Sequence, residues 1–191
     1  MLNTLKITII ASLLLLANPV QARSTALLLN DDSVDVHYIS NPDIMLLHTT
    51  YQEYRLIYSQ EPGPRNLFIS GSFESESYAW KPADKHSLTP RALALAIDFK
   101  NESVISLAAG AVYRYQPEES KLRIVGEAFG SPRLTTFIRG NFVLGFRVQA
   151  DYTVEKGFEV NLGYRNINIE LDNRVYDGFE RGLYVGLTHY Y

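Results

Sequence analysis

Three groups of residues in this 191-residue chain are of types that could do chemistry. His86-Ser87, with Asp84 close by, offers an imidazole, a hydroxyl and a carboxylate, the set that acyl transfer or lipid hydrolysis uses. No G-x-S-x-G turn presents a nucleophile, and polar residues gathered in a loop are ordinarily just solvated, so catalysis is not expected. A metal site is expected even less. His37, His48, His86 and His189 are scattered without H-x-x-x-H spacing, and there is no cysteine. Asn30-Asp31-Asp32 resembles a fragment of a Ca²⁺ loop but lacks the glycine and closing glutamate, so a solvated turn is expected. No cofactor is expected.

The third group is ionic and periodic. Asp35, Arg55, Asp98, Arg114, Arg123, Glu127, Arg147, Asp151, Glu159 and Arg165 sit in segments where apolar residues occupy alternate positions. A strand has a side-chain period of two, so these charges fall on one face and the apolar residues on the other. Both signs are present in similar numbers. Lining a wide water-filled bore, they would set ion preference. Shut inside a narrow one, guanidinium forks and carboxylates would pair, because an unpaired buried charge is costly. The second arrangement is the expectation.

The elements that must position these charges are strands. Phe142, Leu144, Phe146, Val148, Ala150, Tyr152 and Val154 alternate with Val143, Gly145, Arg147, Gln149, Asp151 and Thr153. Thirteen residues in register are enough for a strand of ~9–11 residues tilted across a bilayer. Phe158, Val160, Leu162 and Tyr164 then alternate with Glu159, Asn161, Gly163 and Arg165, after which Ile167, Ile169 and Leu171 are the apolar ones. That switch of parity implies a bulge near Arg165-Asn166 or an exit into an extended hairpin. Ser103–Tyr115 places Ile105, Leu107, Ala109, Ala111, Tyr113 and Tyr115 on one face. Arg91–Lys100 has helix-forming residues but a period of two. It reads as a strand, with a short helix as the alternative.

Candidate strands are Ser33–Ser40, Tyr51–Gln60, Asn66–Glu74, Arg91–Lys100, Ser103–Tyr115, Leu122–Phe129, Thr136–Val154, Phe158–Leu171 and Gly182–Tyr191. Proline and glycine in Glu61-Pro62-Gly63-Pro64, and short polar stretches at 116–120, 130–132 and 155–157, mark turns. Ser75–Pro90 reads as a long polar loop. Nine candidates do not suit a single-chain membrane barrel, which has an even number. Eight strands are expected and ten are the alternative, with Ile44–Thr50 as a further candidate and the error placed before Arg91.

Composition narrows the class. Residues 1–22 resemble a cleaved secretory signal: Lys6, an apolar run from Ile7 to Ala17, Pro19, and Val20-Gln21-Ala22 before the cut. The run of eleven is short of the ~20 residues that span hydrocarbon as a helix. The mature domain is then 23–191. Without cysteine it has no disulfide scaffold and no lipid-modified cysteine. Net charge is −3, or −4 once Lys6 is removed, too mild to imply nucleic acid. Thirteen of the aromatic residues are tyrosines, which suits strands whose ends meet a membrane interface.

The last stretch, Gly182–Tyr191, points Leu183, Val185, Leu187, His189 and Tyr191 one way and Tyr184, Gly186, Thr188 and Tyr190 the other. It resembles the final strand of outer-membrane barrels, which serves the assembly machinery as an address. Leu183, Val185, Leu187 and Tyr191 would carry that address, and His189 stands where that class has an apolar or aromatic residue. Leu107–Tyr115 (LAAGAVYRY), Gly126–Pro132 (GEAFGSP), Gly163–Leu171 (GYRNINIEL) and Asp177–Leu187 (DGFERGLYVGL) together resemble the YfaZ family of outer-membrane proteins, over roughly Arg91 to Tyr191. The resemblance implies a small, porin-like outer-membrane barrel in a Gram-negative envelope. It implies no catalytic residues.

The expected protein is therefore an all-β, transmembrane, antiparallel up-and-down barrel without cofactor. It is a monomer whose partners are outer-membrane lipid and the assembly machinery, and its role is structural or porin-like. Lumen charges would be Asp98, Arg114, Arg123, Glu127, Arg147, Asp151, Glu159 and Arg165. The alternatives are a soluble periplasmic barrel holding an apolar ligand, whose polarity would be reversed, and an outer-membrane lipid-modifying enzyme.

Overall fold

The computed structural model describes residues 22–40, 51–59, 66–74, 78–79, 86–99, 102–138, 140–171 and 174–191. The elements in chain order are β1 (Ala22–Leu29), β2 (Ser33–Ser40), β3 (Tyr51–Ser59), β4 (Asn66–Glu74), β5 (Tyr78–Ala79), β6 (His86–Phe99), β7 (Glu102–Tyr115), β8 (Leu122–Ser131), a 3₁₀ turn (Arg133–Thr135), β9 (Thr136–Ile138), β10 (Gly140–Glu155), β11 (Phe158–Leu171) and β12 (Arg174–Tyr190). Neighbouring strands are antiparallel throughout, in the ring order β6-β4-β3-β2-β1-β12-β11-β10-β8-β7, and β7 pairs back onto β6. The result is a closed barrel of ten strands, with β5 and β9 as short accessories. Closure leaves no free sheet edge along the paired lengths.

Ten strands replace the expected eight. All nine candidates are strands, and the tenth is β1, which begins at Ala22, the last residue of the signal-like segment. It escaped notice because Ala26-Leu27-Leu28-Leu29 does not alternate in polarity, although its side chains do alternate in space: Leu28 is buried and Leu29 is exposed. β1 joins the two ends of the sheet, pairing with β12 from Ser24↔Tyr190 to Leu29↔Val185. Residues 1–21 and the candidate 44–50 lie outside the described residues.

Four further departures have local causes. β6 begins at His86, so the expected loop is shorter. Pro90, which lacks a donor, falls between the last β4 partner (Arg91↔Glu74) and the first β5 partner (Leu88↔Tyr78). The expected strand Thr136–Val154 is two: Ile138, with φ +66°, turns the chain between β9 and β10. β12 begins at Arg174, well before Gly182. Finally, β11 keeps its parity throughout. Every odd residue from Glu159 to Leu171 points inward and is buried. What changes at Ile167 is the lumen, which turns from polar to apolar. The irregularity lies on β12 instead: Ile167 pairs with Glu180 and Ile169 with Tyr176, so residues 177–179 face only Asn168.

The wall is apolar outside. Leu183, Val185, Leu187, Leu162, Val148 and Leu107 are 52–70% exposed. At the end that carries the chain termini the outer face is aromatic. His86 stacks on Tyr115 at 4.4 Å, His189 stacks on Phe158 at 4.5 Å, and Tyr191 meets His189 edge-on at 4.6 Å. The histidine that departs from the barrel-ending pattern thus fills an aromatic place. Tyr38, Tyr54, Phe73, Tyr113 and Tyr152 lie on the same face near that end by strand register.

Candidate functional site

The lumen has three levels. The end far from the termini is apolar: Ile57, Phe68, Leu95, Ile97, Val104, Val143, Ile169 and Phe179 are buried in one cluster. The strands place these residues there because each supplies its last inward positions to that level. Phe68 pairs across from Ile57 and Ile97 across from Val104. A ten-strand bore is wider than the eight-strand bore that side chains just fill. Two glycines help large rings reach across it. A Cβ on Gly145 would sit 2.2 Å from the Phe129 ring, and one on Gly163 would sit 2.4 Å from the Tyr184 hydroxyl.

The middle level is a chain of charges that crosses the bore. Arg165 on β11 bonds Glu180 at 2.9 Å, Ser33 at 3.0 Å and, through Nη1, Asp35. Asp35 also accepts from Arg55 at 3.0 and 3.1 Å and lies 2.9 Å from His37 Nε2. The other side of His37 lies 2.7 Å from Glu53 Oε1, near enough for charge pairing but off the line of a hydrogen bond. Arg91 joins Glu53 at 2.6 Å to Glu127 at 2.5 Å, and donates to Ser72. Arg147 closes the series 2.9 Å from Glu127. All of these side chains are at least nine-tenths buried. Leaving one member unpaired at this depth costs ~3–5 kcal/mol, so the network stands or falls together.

The third level, toward the termini, is a cup. Arg123 donates to Asp151 at 2.9 and 3.1 Å, to Glu159 at 2.6 Å and to the Tyr190 hydroxyl at 2.7 Å. Arg114 donates to Glu74 at 2.8 Å. Asp151 also accepts from Gln149 and from Asn161, at 2.5 and 2.8 Å, and Gln149 accepts the Tyr184 hydroxyl at 2.7 Å. Among the lining residues are Ser24, Ala26, Leu28, His37, Glu53 and Arg147, and the cavity measures about 270 Å³.

Of the expected lumen charges, Arg114, Arg123, Glu127, Arg147, Asp151, Glu159 and Arg165 face inward and meet in these two polar levels. Asp35 and Arg55 join them. Asp98 does not. It is exposed on the outer face near the β6–β7 turn, because β6 turns Arg91, Leu93, Leu95 and Ile97 inward and its alanines outward. The expected parity of β6 was inverted, since in an apolar level of the lumen both faces of a strand are greasy. Glu53, Glu74, Arg91 and Glu180 were missed. Each occupies the lumen parity of its strand, so the same alternation could have found them once that parity was fixed.

The His86-Ser87 pair is separated by its strand. His86 lies outside, 2.6 Å from the Tyr113 hydroxyl, while Ser87 lines the cup. Successive strand residues point to opposite faces, so the two cannot act on one substrate atom. Asp84 lies outside the described residues. Asn30 forms a tight turn, its Oδ1 accepting the N–H groups of Asp32 at 2.7 Å and Ser33 at 2.9 Å. Leu183, Val185, Leu187 and Tyr191 are all exposed on the outer wall.

Neither curated proteins nor solved structures offer a match to this chain. The YfaZ precursor family model does match, over residues 94–191, from β6 to the last residue. That is more than half of the chain and takes in Arg114, Arg123, Glu127, Arg147, Asp151, Glu159, Arg165 and Glu180. The chain belongs to the YfaZ family.

Proposed function

We propose that this protein is a small outer-membrane barrel with a blocked lumen, a structural wall element with a polar cup at one end. The observation that carries the reading is its polarity. The outer wall exposes Leu183, Val185, Leu187, Leu162 and Val148, while six arginines and their carboxylates are turned inward among the described residues. Water would reward the reverse order. Lipid tails reward this one, since a closed ring of strands pairs its own backbone groups and lets only apolar side chains meet hydrocarbon. The aromatic belt at the terminal end fits the headgroup boundary. The word "precursor" in the family's description agrees with removal of residues 1–22 after export.

The porin-like alternative fits less well than a blocked bore, because the charge chain and the apolar cluster lie in series along the lumen. A soluble barrel holding an apolar ligand also fits poorly, because the cavity is lined largely by charges and hydroxyls. The proposal assigns no catalysis, and the C-terminal strand is its contact with the assembly machinery. Cell fractionation tests it. The protein should remain in the outer envelope and migrate faster on gels unheated than heated. Release by osmotic shock as a soluble monomer would contradict it.

A further inference from the structure

The cup itself has no role in the reading above. Its chemistry is asymmetric. Arg114 on β7 and Arg123 on β8 are 30% and 28% exposed at the side chain, while their partners Glu74, Asp151 and Glu159 are 2%, 1% and 10% exposed. Among the described residues, a solute entering therefore meets guanidinium before carboxylate. The two arginines stand on adjacent strands: Arg114 pairs across from Val125, two residues from Arg123. Such diagonal neighbours are ~7–8 Å apart, so two like charges share one wall. Each has donors to spare. Among the described residues, Arg123 directs Nε and Nη2 at its partners, and the Nη1 of Arg114 makes only a 3.4 Å contact with Thr89. Five strands round a ring of ten, across the bore, β1 and β2 present Ser24, Ala26, Leu28 and Ile39.

We propose that the cup binds a small solute through an oxyanion group, carboxylate or phosphate, held between Arg114 and Arg123, with its short neutral body against β1 and β2. A planar guanidinium fork matches carboxylate and phosphate oxygens, and the N–H groups that Arg114 and Arg123 turn away from their carboxylate partners are the ones that would meet it. The cavity of about 270 Å³ lies just below the usual range of ligand pockets, which starts at about 300 Å³, so it suits only a small solute. The inference needs the barrel and not its bilayer.

Titration calorimetry on the refolded barrel tests it with three probes: inorganic phosphate, butyrate and tetramethylammonium. Saturable binding of phosphate or butyrate, weakened at least tenfold in the doubly substituted R114Q/R123Q protein, is the expected result. Three results overturn the proposal: no saturable oxyanion binding, binding unchanged in that variant, or equally tight binding of tetramethylammonium. Should the variant not fold, as judged by heat-modifiable migration, arginine modification of the unaltered protein by phenylglyoxal decides. The saturating oxyanion should then protect Arg114 and Arg123 while the exposed Arg133 still reacts. Equal reaction at all three would overturn the proposal.

Discussion

Arg165 is the residue on which the interior pivots. It touches β2 through Asp35 and Ser33 and β12 through Glu180, so its removal takes one of two arginines from Asp35, which keeps Arg55, and the arginine partner from Glu180. Arg165→Ala is expected to lower the unfolding free energy by ~3–5 kcal/mol in urea titrations of the refolded barrel. Arg133→Ala, on an exposed turn, should change it by less than about 0.5 kcal/mol. Gly163→Ala should also destabilise, because the new methyl would meet both the Tyr184 hydroxyl and the carbonyl of Val148 at 2.7 Å or less. Most of these charges were legible from alternation alone. Asp98 was misplaced and Arg91, Glu53, Glu74 and Glu180 were overlooked for one reason. Alternation separates two faces but does not say which is inside, and the lumen of this barrel is itself apolar at one end and ionic at the other.

At the scale of elements, the long strands announced themselves and the short or abutting ones did not. β10 was readable because thirteen residues, 142–154, keep one pattern against the lumen, and β11 because the same scheme holds over 158–165 where its lumen face is polar. β1 was hidden by its run of leucines and by its place beside an export-like segment. The apparent switch on β11 was a change of surroundings, because a strand whose inward partners become aliphatic can change composition without changing face. The outer wall of these strands yields a prediction that separates lipid from water. Leu162→Arg, in the middle of the apolar band, should cost ~2–4 kcal/mol when the barrel unfolds from a bilayer. A water-facing arginine at the same place would cost almost nothing.

The whole molecule is a ring of ten strands whose bore is closed twice, by a charge chain and by a greasy cluster. Planar-bilayer recordings should therefore show no steady conductance from the purified, refolded protein. Opening one closure should not suffice, so Glu127→Gln should remain silent as well. The count of strands could not be settled from composition, since ten strands with short connections and eight with longer ones use the same number of residues. The central claim is that the aliphatic wall lies against lipid tails. A single tryptophan placed at Leu162, in a chain whose own Trp80 is replaced by phenylalanine, reads this directly in vesicles. The account predicts strong quenching of its fluorescence by brominated acyl chains and almost none by aqueous acrylamide. Quenching by acrylamide with indifference to the brominated lipid would contradict it.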